Sequence, residues 1–327
     1  MHNNFSSLRM RDTAEGAIMG ALIGDAAGAT LEFLGHKPSA NEVRAALCMS
    51  GGGVWQTAPG QITDDGELIL ALCHALRDRD LYPPTRAARF YRRWYLSRPF
   101  DIGGATSAAL CEGDLDDHEL AELVSNNALA SNANSKANGS LMRIAPLGVW
   151  SHRLDIESTV NAARSDARLT HPNPSCQWAN AAYVIAIRHL MLNHGDHRGA
   201  FAAAHGVLDA VEAREVRAWL QEAERGDLPA FYPSAGFVRI AFTHAFHHLL
   251  NKTSYYEALA IILSGGGDTD TNACIVGGLL GALHGAQGIP ELMRSALLNC
   301  DVKKGQLRPE WLQTRYVDPL IGGLIPA

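Results

Sequence analysis

The sequence predicts an all-α protein, and three observations carry that expectation. Apolar residues recur at the three- and four-residue spacing of a helix face almost throughout, as in Leu68, Leu72, Ala75 and Leu76, or Ile240, Phe246, Leu249 and Leu250. Period-two alternation is hard to find. Helix breakers fall between the periodic runs, at Gly51 to Gly53, Pro83 and Pro84, Pro172 and Pro174, Pro233, Gly265 to Gly267 and Pro290. With 327 residues, 47% of them hydrophobic and 19% charged, the chain can bury a substantial core. No long flexible linker divides it, so residues 1–327 read as one domain.

Composition narrows the function. A formal net charge of −6 gives no field that would attract nucleic acid or an anionic membrane, so an anionic ligand must be met locally, by metal ions or backbone amides. The six cysteines stand singly with no C-x-x-C pair, which argues against a zinc site or a disulfide framework and fits a reducing cytoplasm. Arg9 and Arg11 before the apolar run Ala17 to Ile23 imitate a secretory leader. The run is short and Gly-rich, preceded by Asp12 and Glu15 and followed by Asp25, so that reading is set aside.

Along the chain, the first element is a small-residue helix with Gly16, Gly20, Gly24 and Gly28 on one face, where the missing Cβ lets a backbone or a ligand come close. Asp25 and Glu32 bracket its end; each could be a base, a metal ligand or a solvated helix end. Thr63-Asp64-Asp65 then opens the helical run to Leu76. Asp101, in Phe100-Asp101-Ile102-Gly103-Gly104, reads as a turn residue or as an acid/base. The Asn/Ser/Ala stretch Ser125 to Ser140 reads as an ordered loop. His244, His247 and His248 lie on one predicted helix without an H-E-x-x-H pattern, and are expected at its surface rather than on a metal. Asp268-Thr269-Asp270-Thr271 follows Gly265 to Gly267 and opens a second small-residue helix, with Gly277 to Gly285 inside it.

The two acidic clusters each sit where a helix begins, and ordinary capping accounts for one acidic group there. It does not account for adjacent pairs. Two like charges about 4 Å apart cost about 4 kcal/mol at an effective dielectric near 20. If the two helix starts meet in space, the four carboxylates need about two divalent cations, and oxygen-only ligands select hard ions such as Mg²⁺ or Mn²⁺ over zinc.

These stretches resemble the ADP-ribosylglycohydrolases. The matching segments, in the family's order, are Gly20 to Gly28 with Glu32, Thr63-Asp64-Asp65, Phe100-Asp101-Ile102-Gly103, Asn138-Gly139-Ser140-Leu141-Met142-Arg143, Thr170-His171, and Gly266-Gly267-Asp268-Thr269-Asp270-Thr271. The resemblance implies a compact orthogonal helix bundle with a dinuclear Mg²⁺ or Mn²⁺ centre held by Thr63, Asp64, Asp65, Asp268, Asp270 and Thr271. It implies catalytic roles for Asp101 and Glu32. It places Ser135, Asn138, Gly139 and Ser140 in a diphosphate loop, His171, Gly103 and Gly267 at the ligand, and Phe237 near the adenosine end. Three departures stand out: Gly66 where relatives often carry Thr, Ala137 where Gly is common, and Lys136 near the place of an adenine-stacking aromatic.

The implied activity is hydrolysis of the bond between the anomeric carbon of the distal ribose and a modified side chain, most simply arginine. ADP-ribosylated protein would be the substrate and ADP-ribose the product of a cytoplasmic monomer. Two other readings stay open: hydrolysis of serine-linked or small-molecule ADP-ribose conjugates, and a catalytically silent ADP-ribose- or toxin-binding (immunity) protein. The presence of every expected carboxylate weighs against the silent form.

Overall fold

A computed structural model describes the backbone of residues 2–325 and the side chains of residues 7–325. Among the described residues every regular element is helical. In chain order these are α1 (His2–Gly28), α2 (Ala40–Leu47), α3 (Asp64–Leu76), α4 (Pro84–Leu96), α5 (Gly104–Leu110), α6 (Leu120–Asn132), α7 (Ala145–Trp150) and α8 (Ile156–Arg168). They continue as α9 (Pro174–Leu192), α10 (His197–Gly206), α11 (Arg214–Arg225), α12 (Val238–Leu250), α13 (Tyr255–Gly265), α14 (Thr269–His284), α15 (Glu291–Leu298) and α16 (Val317–Leu324). Among the described residues, extended pairing is confined to two isolated antiparallel bridges, Gly52 with Thr57 and Ala137 with Phe237. No described helix is long and apolar enough to cross a membrane.

Burial separates central helices from peripheral ones. In α3 every residue but His74 is buried, and in α14 every residue but His284, so these helices are covered on all sides, acidic first turns included, and lie in the middle of the molecule. Peripheral α11 instead buries the stripe Val216, Trp219, Leu220 and Ala223 and leaves a charged face to water.

The axis of the fold is the antiparallel pairing of α1 with α14, and the glycines make it possible. A Cβ on Gly16 would stand 2.1 Å from the carbonyl oxygen of Gly281, one on Gly20 2.4 Å from that of Gly277, and one on Gly24 2.1 Å from that of Ala273. Those distances exclude any side chain, so the two backbones touch. The hydroxyls of Tyr255 and Tyr183 donate to the carbonyls of Gly20 and Ile275, each at 2.7 Å, and Thr269 Oγ1 donates to that of Gly28 at 2.8 Å. Running antiparallel, the pair sets the C-terminal end of α1 beside the N-terminal end of α14. There a Cβ on Gly28 would lie 2.4 Å from the Cα of Asp270. Close packing and site assembly are one function of the glycine stripe.

The three histidines of α12 differ in placement from the surface position expected for them. His244 and His248 are buried, because the helix packs that face inward. His244 stacks on Phe231 at 4.6 Å and shares a hydrogen bond with the carbonyl of Pro229, and His247 shares one with that of Ala223.

Candidate functional site

Capping is the ordinary use of an acidic helix start, and this molecule shows how it caps when it does. Ser39, Asp155, Asn173, Asp196 and Ser254 each accept a hydrogen bond from the first turn of their helices. Thr63 and Asp268, at the N-caps of α3 and α14, make no such side-chain bond. The first turn of α3 is satisfied instead by Asp25 of α1. Its carboxylate accepts the Thr63 amide at 3.0 Å, the Thr63 hydroxyl at 2.7 Å and the Gly66 amide at 2.8 Å. With Asp25 in that role, Asp64 and Asp65 are left free of it.

The acidic helix starts therefore converge. One ligand oxygen from each of Asp25, Asp65 and Asp270 lies within 4.8 Å of the others, and a second set, Glu32, Asp268 and Asp270, does the same. Asp270 belongs to both. Thr271 Oγ1 donates to Asp65 Oδ1 at 3.4 Å, and Asp64 accepts the Gly103 amide at 3.3 Å from the bend that carries Asp101. Glu67, the next acidic residue of α3, is diverted from the site by a bidentate pair with Arg308, at 2.7 and 2.9 Å, and by the Trp94 indole at 2.7 Å.

The electrostatics of the cluster are those of carboxyl groups buried side by side. Burial, then the neighbouring carboxylates, push Asp64 and Asp101 up to about 8, and burial with Asp101 nearby does the same for Glu32. Asp25, although it accepts three hydrogen bonds, is held at about 7 by burial. Asp65 and Asp270 are raised well above the ordinary carboxylate range for the same two reasons. Asp65 Oδ2 is buried with no hydrogen-bond partner among the described residues. An orphaned carboxylate oxygen facing other carboxylates fits a hard cation, and all-oxygen donors are the set such ions take.

Above this floor opens a cavity of about 930 Å³. Its walls include Glu32, Asp64, Asp101, Gly103, Asn138, Gly139, His171, Gly267, Asp268, Asp270 and Thr271. Gly266 and Gly267, at φ 73° and 78°, turn the chain into α14 in the left-handed region that favours glycine. The Gly267 amide donates to the Tyr232 hydroxyl at 2.8 Å. The loop 135–140 pairs with segment 236–238: the Asn138 amide donates to the Gly236 carbonyl at 3.0 Å and the Val238 amide to that of Lys136 at 2.9 Å. Asn138 Nδ2 then donates to Asp268 at 2.6 Å, which ties this loop to α14.

Three residues expected at the ligand stand outside the lining. Ser140 is fully buried and accepts from Asn180 at 2.9 Å, Ser135 turns its hydroxyl to the Ala137 amide, and the ring of Phe237 packs edge-on against Trp219 at 5.7 Å. Thr63 and Asp65 lie beneath the lining, in the floor. Lys136 is engaged by Glu215 at 2.7 Å.

Sequence reading left two participants out of the site. Asp25, for which the sequence allows a base, a ligand or a solvated helix end, is fully buried at the centre of the floor. Its position one helical turn before Gly28, in a stripe that must touch another backbone, was the available signal. Trp55 carried none. Its indole donates to Glu32 at 3.1 Å, and its ring lies between those of Phe33 and Phe100, at 6.2 and 5.9 Å.

With this geometry in place, comparison with known proteins is decisive. The sequence pattern of the ADP-ribosylglycohydrolase family matches residues 6–320. The chain belongs to that family. It is similar to a protein of Acanthamoeba polyphaga mimivirus whose name includes "ADP-ribosyl glycohydrolase L543", at 31% identity over 91% of this chain and 93% of that one. It is 27% identical to the ADP-ribosyl-[dinitrogen reductase] glycohydrolase of Rhodospirillum rubrum, over 86% and 88% of the two chains. To the ADP-ribosylarginine hydrolase Tri1 of Pseudomonas putida it is 29% identical, over 85% of this chain and 72% of the relative. Among solved structures, an ADP-ribosylglycohydrolase-related protein complex superposes with a TM-score of 0.74 at 25% identity, covering 97% of this chain and 98% of that one. The all-α fold of the family and a hydrolase built on it are thereby established for this chain.

Proposed function

We propose that this family member is a metal-dependent hydrolase that removes ADP-ribose from modified arginine side chains. The observation that carries the metal dependence is the pair of carboxylate sets sharing Asp270, with Asp65 Oδ2 unpartnered beside them. Asp25, Asp65 and Asp270 would hold one Mg²⁺ or Mn²⁺ and Glu32, Asp268 and Asp270 a second, with Thr63, Asp64 and Thr271 alongside. Ions bound there supply Lewis-acid contacts to the ribose hydroxyls and to a water. Asp101, which rims the cavity outside both carboxylate sets and is pushed up to about 8 by burial and neighbouring carboxylates, can give a proton to a departing side-chain nitrogen, and Glu32, ionised beside a bound cation, can take one from water. Asn138 and Gly139 offer polar contacts to the diphosphate, and His171 a ring nitrogen.

Arginine as the acceptor is supported by the relative named as an ADP-ribosylarginine hydrolase. It is supported too by the rim itself, where Phe33, 64% exposed, lies beside acidic Glu32. An aromatic face next to carboxylates suits a guanidinium better than a neutral hydroxyl. The substrate is then an ADP-ribosylated protein, and the chain works as a cytoplasmic monomer.

The test is release of free ADP-ribose from arginine-linked and serine-linked ADP-ribosyl proteins in Mg²⁺, Mn²⁺ or EDTA. Release from the arginine linkage that EDTA abolishes is expected, with Asp65→Asn and Asp270→Asn reducing turnover at least about a hundredfold. Release unaffected by EDTA would refute the metal assignment, and release from serine alone would refute the acceptor.

A further inference from the structure

Behind the cavity wall runs a buried chain of polar groups that the proposed reaction does not use. It begins at Asp166, fully buried in α8. Its Oδ1 accepts the hydroxyls of Tyr82 and Tyr91 at 2.9 and 2.8 Å, and its Oδ2 pairs with Arg143 Nε at 3.2 Å. Arg143 is also fully buried. Its Nη2 donates to the Asp166 carbonyl at 3.1 Å, its guanidinium lies 4.3 Å over the Tyr91 ring, and its Nη1 donates to Thr170 Oγ1 at 2.8 Å. Thr170 Oγ1 lies 2.8 Å from His171 Nδ1. His171 reaches the cavity wall, and among the described residues no protein group partners its Nε2.

The direction of the last proton follows from donor bookkeeping. Arg143 can only donate, so Thr170 Oγ1 receives one hydrogen from it. If His171 carried its proton on Nδ1, Thr170 would receive a second, and its own buried O–H would have no acceptor. Leaving a buried hydroxyl unmade disfavours that tautomer by about tenfold or more. A doubly protonated ring meets the same orphan and adds repulsion from the guanidinium. The arrangement that satisfies every group has Thr170 donating to Nδ1, which leaves the proton on Nε2, at the cavity.

We propose that Asp166, Arg143 and Thr170 are positioning residues that lock His171 as a neutral Nε2–H donor aimed at an oxygen of the bound ligand. In a cavity whose floor is crowded with carboxylates, a fixed neutral donor supplies a hydrogen bond without competing with the cations for negative charge. Gly139 leaves the ring its place: a Cβ there would stand 2.8 Å from His171 Cε1. That the ligand is ADP-ribose rests on the functional reading above; the tautomer does not.

The test joins a spectroscopic readout to a binding one. Imidazole ¹⁵N spectra of the full chain near pH 7, with His171→Asn to identify the resonances, should show an unprotonated Nδ1 and a protonated Nε2 without any ligand. Thr170→Val should turn that pattern into a tautomer mixture and weaken ADP-ribose binding, by titration calorimetry in Mg²⁺, about 5- to 30-fold. Thr170→Ser should restore both to near the parent values. A wild-type spectrum with Nδ1 protonated overturns the proposal, as does a folded Thr170→Val protein with unaltered tautomer and affinity. Should Thr170→Val not fold, the parent and Thr170→Ser spectra decide. Should the parent protein bind no ADP-ribose, the ligand reading fails while the spectrum still judges the relay.

Discussion

At the scale of single residues, Gly66 shows how a departure from a family pattern can be a fitted part. Its amide donates to Asp25, and a Cβ at this position would lie 2.6 Å from Asp25 Oδ2 and 2.7 Å from Ile62 Cβ. Its bareness lets Asp25 sit against the start of α3. Gly66→Ala should push that carboxylate out of register and weaken Mn²⁺ binding about 10- to 100-fold, measured by calorimetry. Affinity within twofold of the parent would show that Asp25 does not orient the site. Much of the centre was legible because paired carboxylates at helix starts are costly unless something binds them. Trp55 and the relay's Asp166 were not, since a lone tryptophan in a Gly-rich turn and a lone aspartate inside a helix carry no pattern of spacing.

Among the elements, the α1–α14 pair governs both stability and assembly of the site. The four-residue glycine spacing announced a close approach, but nothing in one stripe names its partner, so that the two Gly-rich helices face each other had to be seen. Gly20→Ala would place a Cβ 2.4 Å from the Gly277 carbonyl oxygen and force the backbones apart. A loss of about 1–3 kcal/mol or more is expected in urea denaturation, together with weaker cation binding, because Asp25 and Asp270 separate as the helices do. Gly206→Ala supplies the contrast. Nothing lies within 4 Å of a Cβ there, so the substitution should leave metal binding alone and raise stability by about 0.4–1 kcal/mol. If both substitutions behave alike, contact between the backbones is not what the stripe provides. Helix identity itself was the easiest part to read, because almost every segment repeats its apolar residues at helical spacing; the α12 histidines were misplaced since periodicity says which residues share a face, not which way that face turns.

For the whole molecule, the cluster ties folding to pH and to cations. Asp25, Glu32, Asp64 and Asp101 hold their protons to about 7 or 8 in the folded state, whereas in the unfolded chain carboxyls release them near about 4. Where the folded state binds more protons than the unfolded, stability falls as pH rises. In EDTA, Tm should therefore decline from about pH 5 to about pH 8, and excess Mg²⁺ or Mn²⁺ should reverse the decline, most at the alkaline end where cations displace the fewest protons. Scanning calorimetry with and without metal checks this. A Tm that climbs with pH in EDTA would mean the carboxylates are not confined together.

The antiparallel seating of α14 on α1 also has a bearing on how the protein comes into being. Asp25, Glu32, Asp64 and Asp65 are synthesised first, and their companions Asp268 and Asp270 follow only after about two hundred further residues. A growing chain on the ribosome thus lacks Asp270, the one carboxylate common to both sets. The competent centre comes into existence when α14 docks on α1, so a fragment that stops short of α14 has an incomplete site.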